Sequence, residues 1–115
     1  MTTLLVLYRA PEGGADALAT FEARYRDDHL PLVAQTPGLR ATRVWRIGEA
    51  LGATTDLALA CAMDFDDRAA LDEGLRSDPM RAAGRNLREI APGLATFLVV
   101  EDAPDLLVGK VPGEH

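Results

Sequence analysis

The sequence predicts a single α+β domain with the element order βαββαβ and a four-stranded antiparallel sheet. Three observations carry this reading. Residues 4–8 and 57–63 are apolar at every position and too short for helices, a helical apolar spacing follows each run, and Pro-Gly pairs at 37–38 and 92–93 close both helical segments. The domain is expected to occupy residues 1–102. Residues 103–115 form a C-terminal tail, a candidate for packing on a partner chain.

The first strand, residues 4–8, ends at Pro11 and Gly13-Gly14 and reads as buried on both faces. From Asp16, a plausible N-cap, Leu18, Phe21, Tyr25, His29, Leu32 and Val33 recur every three or four residues, the spacing of one helical face. Pro31 lacks the N–H that would bond the Asp27 carbonyl, so a kink or restart is expected near Asp28-His29. Residues 40–47 alternate Arg40, Thr42, Val44 and Arg46 against Arg43, Trp45 and Ile47, a partly wet strand suited to a sheet edge. Residues 57–63 must be central. Asp66 or Asp67 caps a second helical segment through Leu71 and Leu75, and Ser77-Asp78-Pro79 restarts it with proline in the first turn, where its missing donor costs little. Met80, Ala83, Leu87 and Ile90 continue an apolar face, and residues 96–100 supply the fourth strand.

A chain of 115 residues supports one modest core. Its longest apolar run is far shorter than the roughly 20 residues that span a bilayer, so no membrane segment is expected. The start lacks the pattern of a secretory signal, and the expected location is the cytoplasm. The single cysteine, Cys61, excludes an intrachain disulfide and lies in an aliphatic strand as a packing residue. A net charge of −6 opposes binding to polyanions, which reads against DNA and RNA. No phosphate loop, nucleophile elbow or paired metal-ligand spacing occurs, so no metal site is expected, and His115 reads as part of a flexible end.

In a ferredoxin-like βαββαβ sheet the first and third strands are central, and here those are the two fully apolar runs. Two helical segments cover only one face of such a sheet. The other face, partly aliphatic, would stand in water as a large apolar patch. A second copy packing sheet to sheet is the simplest cover, which predicts a homodimeric α/β barrel. An RNA-recognition domain shares the strand order but stacks bases on aromatics of its third strand, and residues 57–63 contain neither an aromatic nor a basic residue.

The stretch Phe21-x-x-x-Tyr25-x-x-x-His29-x-Pro31-Leu32-Val33, followed by Pro37-Gly38-Leu39, resembles the EthD family of the dimeric α/β barrel superfamily, and the likeness extends in element order over most of the chain. The family takes its name from an operon for ethyl tert-butyl ether degradation. The resemblance implies a cavity on each chain between sheet and helices, with His29 in or near it. Related barrels include cofactor-free monooxygenases, polyketide cyclases, muconolactone isomerases and haem-binding enzymes, so the fold alone selects no reaction.

His29 is the sharpest candidate, since an imidazole on an apolar helix face can move a proton near neutral pH. The alternative is a structural histidine bonding the carbonyls freed at Pro31. Tyr25, one turn earlier on the same face, can converge with His29 on a bound group and donate a hydrogen bond. Trp45, Tyr8 and Phe21 are the expected substrate-binding residues, each with core packing as the plainer reading. Asp64 reads as helping to start the second helical segment. Asp27 and Asp28 read as solvated acids rather than partners that orient the histidine. The expected activity is that of an enzyme without an organic cofactor, of oxidoreductase, isomerase or cyclase type, acting on a hydrophobic aromatic or polyketide-like small molecule. The alternatives are a haem-binding barrel with His29 as axial ligand, or a non-catalytic module that binds a small apolar ligand.

Overall fold

The computed structural model describes residues 1–106. The expected tail, residues 103–115, therefore falls mostly outside the described residues, His115 included. The elements are β1 (Thr2–Arg9), α1 (Gly14–Arg24), a π-helical turn (Tyr25–His29), α2 (Leu30–Val33), β2 (Ala41–Arg46), β3 (Leu57–Phe65), α3 (Arg68–Leu75), α4 (Asp78–Ile90), β4 (Ala95–Glu101) and a short 3₁₀ turn (Pro104–Leu106). The sheet is antiparallel in the order β2-β3-β1-β4, so the two apolar strands are central. This is the ferredoxin-like α+β fold. No described helix is long and apolar enough to cross a membrane.

Strand alternation separates two unlike faces. Leu4, Val6 and Tyr8 of β1 pair with Met63, Cys61 and Leu59 of β3, and all six are buried beneath the helices. They form one core with Phe21, Tyr25, Val33, Leu71, Ala83 and Leu87. On the reverse face Leu5 and Leu7 of β1 are only half-buried, while Leu98 and Val100 of β4 are exposed. Strand β3, central as expected, is buried on both faces by different means. On the reverse face Ala60 lies between Leu7 and Trp45, and Ala62 between Leu5 and Arg43, so larger neighbours shade the small residues without any second layer.

Local chemistry sets the helix boundaries. Asp67 accepts the Ala70 N–H at 2.8 Å and starts α3, and Ser77 accepts the Met80 N–H and starts α4 with Pro79 in its first turn. The expected cap at Asp16 is not used. Gly13 occupies the cap position of α1 at φ 109°, a conformation that favours glycine, and Asp16 lies inside the first turn. Gly74 of α3 is also required for space, because a Cβ there would lie 2.9 Å from the Phe65 ring and 3.2 Å from the Pro37 carbonyl oxygen.

Candidate functional site

The expected break before Pro31 takes the form of a π-helical turn. Tyr25–His29 winds with the wider i→i+5 spacing and α2 resumes at Leu30, with Pro31 in its first turn. A wider turn absorbs the donor that proline withholds, and such turns occur often at functional sites. Here it keeps Tyr25 and His29 on the buried side, each 3% exposed. Their rings stack at 5.1 Å between centroids and 24° between planes. Tyr25 reaches across to β1 and donates a hydrogen bond of 3.1 Å to the Tyr8 hydroxyl, with the two rings edge to face at 5.0 Å. Phe21 packs on both tyrosines, at 5.9 and 5.7 Å.

Beside this cluster, between the sheet and α4, lies a cavity of about 360 Å³. That volume falls within the range of small-molecule sites. Val6 and Met63 form its sheet wall and Met80, Ala83 and Leu87 its helical wall, while Phe97 and Val99 stand at the β4 side. The small pair Ala83-Gly84 leaves room where larger residues would close the space. His29 and Tyr8 are the two lining residues with polar side-chain atoms. The Tyr8 hydroxyl accepts from Tyr25 and keeps its own proton, so His29 and Tyr8 are the polar groups that a ligand would meet.

His29 keeps one polar atom unspent. Its Nδ1 is buried with no hydrogen-bond partner, and so is Oδ1 of Asn86 on α4. Leaving such an atom unpaired costs roughly 1–3 kcal/mol, so each one in a folded chain calls for an explanation. Nδ1 is thus not spent on the carbonyls freed at Pro31. Burial pushes the imidazole pKa below its ordinary value, and the Asn86 side chain and the Ala83 carbonyl on α4 offset this only in part. The ring is therefore neutral at pH 7 and able to accept a proton. Burial holds both phenols well above the usual tyrosine value, so Tyr8 and Tyr25 stay protonated. It also raises the Cys61 thiol beside Tyr25, which marks a packing residue rather than a nucleophile.

The remaining expected site residues separate. Phe21 backs the two tyrosines and does not line the cavity. Trp45 projects from the opposite face of the sheet, because Val44 and Arg46 of β2 pair with the helix-side residues Cys61 and Leu59 while Trp45 pairs with Ala60. There it is 44% exposed under the Arg43 guanidinium, 5.4 Å from the ring centroid. It therefore shares no cavity with His29. Asp64 does not start α3; it accepts the Thr3 hydroxyl at 2.7 Å and pairs with Arg43 on the same reverse face. Asp27 and Asp28 are solvated and ion-paired with Arg26 and Arg24. Among the described residues no three potential metal ligands cluster. The cavity residues of α4 and β4 did not emerge from motif reading. Their available signal was the Met80, Ala83, Leu87 spacing with Gly84 beside it.

No family model and no curated protein sequence matches the chain. Solved structures do. An ethyl tert-butyl ether D (EthD) family protein from Bacillus halodurans is 31% identical, with a TM-score of 0.80 over 90% of this chain and 99% of that one. A dimeric protein of ferredoxin-like fold from Bacteroides fragilis is 17% identical, with a TM-score of 0.65 over 88% of this chain and 95% of its own. A dimeric ferredoxin-like protein from Jannaschia is 19% identical, with a TM-score of 0.64 over 89% and 100%. The last two likenesses show the fold alone.

Proposed function

This chain belongs to the EthD family, and we propose that it is an enzyme that takes a hydrophobic, aromatic or polyketide-like small molecule into the cavity beside His29 and uses the neutral imidazole as a general base or acid. The observation that carries the reading is one buried histidine, its Nδ1 without a hydrogen-bond partner, at a largely apolar cavity of ligand size. Tyr25 acts through His29. Its ring holds the imidazole plane by stacking, and its hydroxyl ties the π-helical turn to β1 through Tyr8. Proton transfer of this kind requires no organic cofactor, and an apolar wall suits a substrate held by shape rather than by charge.

The working form in this proposal is a homodimer, with the reverse faces of two sheets packed together. Leu98, Val100 and Trp45 are 40–44% exposed on that face, and the Bacteroides and Jannaschia proteins are dimeric. Light scattering should give a particle twice the 12.3 kDa chain mass; a 12.3 kDa particle at micromolar concentration would refute the dimer.

The site is tested by thermal unfolding of wild type and His29→Ala against aromatic acids, lactones, polyketide phenols and haemin. A ligand at 100 times its dissociation constant adds about 2.7 kcal/mol, a shift of several degrees. A hit from the first three classes, abolished by Ala83→Phe, which fills the cavity, is the expected result. Turnover of the hit should fall about 10²-fold or more in His29→Ala. Turnover within threefold of wild type would remove the catalytic role, and a hit restricted to haemin would replace the reading with haem binding.

A further inference from the structure

A second concavity, separate from the His29 cavity, lies between the first helical layer and the edge strand β2. It encloses about 250 Å³. Val44, Leu59 and the ring of Tyr25 give it an apolar floor, and Glu22, Arg26 and Arg46 stand at its rim. It shares no lining residue with the His29 cavity.

The rim offers one guanidinium with uncommitted donors. Arg46 bonds Glu22 through Nε alone, at 3.0 Å, and its two terminal amino groups make no hydrogen bond among the described residues. Arg26 spends Nε and one amino group on Asp27, at 2.7 and 3.0 Å. Asp27 balances Arg26 and Glu22 balances Arg46 in charge, so the anchor for an anion is the pair of uncommitted amino groups on Arg46. A guanidinium fork with free amino groups matches the planar geometry of a carboxylate. Val44 beside it is 41% exposed, so an apolar surface is open to solvent next to the cation.

We propose that this cleft is a second binding site, specific for a flat apolar carboxylate, with the ring system on Val44, Leu59 and Tyr25 and the carboxylate on the terminal amino groups of Arg46. Glu22 limits the approach to that side of the guanidinium. The uncharged analogue lacks the ionic anchor and binds weakly, and a phosphate with no apolar body gains nothing from the floor.

The test is an amide NMR titration of the full chain with 2-naphthoate, with 2-naphthylmethanol as the uncharged control. The expected result is perturbation at Val44, Arg46 and Tyr25, binding at least tenfold weaker for the alcohol, and at least tenfold weaker naphthoate binding in Arg46→Ala. Arg46→Lys should recover only part of the loss, since an ammonium lacks the fork. Equal binding of acid and alcohol, less than a tenfold loss in Arg46→Ala, or perturbations centred on Phe97 and Met80 would each overturn the proposal. The last outcome would move the ligand to the His29 cavity without weakening that site.

Discussion

The two faces of the sheet are built from alternate residues of the same four strands, yet they do different work. On the helix side, Val6, Tyr8, Cys61 and Phe65 have no exposed surface, and the remaining space is a shaped cavity with one histidine at its edge. On the reverse side, alanines of β3 are shaded by Leu5, Leu7, Trp45 and Arg43, and the outer strand leaves Leu98 and Val100 in solvent. A strand pattern that is apolar throughout therefore does not by itself mean two equivalent buried faces. Across the central strands one face is packed within the chain and the other is left half-covered, while β4 at the edge exposes Phe97 and Val99 on the helix side as well.

The largest effects should come from the helix side. Phe65→Ala removes a fully buried ring and is expected to cost about 3–5 kcal/mol in denaturant unfolding, with no change in association state. Gly74→Ala should cost about 1–3 kcal/mol, because the new methyl meets the Phe65 ring at 2.9 Å and the Pro37 carbonyl oxygen at 3.2 Å. On the reverse side Leu98→Asp should leave the fold intact and halve the mass seen by light scattering. If it unfolded the chain as Phe65→Ala does, the contrast between the faces would break. Asp67→Ala, which removes the cap on α3, should cost about 1 kcal/mol. Arg24→Ala cuts an exposed pair with Asp28 and should change stability by less than about 0.5 kcal/mol.

The buried imidazole adds a pH dependence with a definite sign. Its folded pKa lies below the ordinary histidine value of about 6.5, so the unfolded chain binds the proton more readily. The stability that His29 contributes is present above that value and is lost as pH falls from it toward the folded pKa. In His29→Gln, unfolding followed between pH 7 and pH 5 should show a shallower acid loss than wild type. An unchanged slope would mean that the ring is not desolvated.

Much of this was legible in the amino-acid order. Apolar runs and Pro-Gly exits mark the elements, and three-and-four spacing places His29 inward. Pro31 announces a break, because a missing N–H is a local fact. The form of that break is not local: the turn can widen to a π-helical spacing because Tyr25 and His29 both gain burial against β1 and α4. The side taken by Trp45 was equally hidden. Alternation along residues 40–47 separates two sets correctly, but both sets mix apolar and charged residues on a wet edge, so only pairing with β3 decides which set faces the helices. Asp64 likewise reads as a helix starter until the register with Thr3 and Arg43 is known. The cavity depends on where Ala83 and Gly84 come to rest against β1 and β4, and no short sequence window contains that information.

The most direct test is a side-chain NMR titration of His29, assigned by comparison with His29→Gln, in the free protein and with a saturating ligand of the His29 cavity. The free ring should titrate below 6.5 and its nitrogen resonances should move on ligand addition, while the Trp45 indole on the reverse face stays unperturbed. A ring that titrates at or above 6.5 and ignores the ligand, with Trp45 shifting instead, would contradict it and place the binding surface on the other side of the sheet.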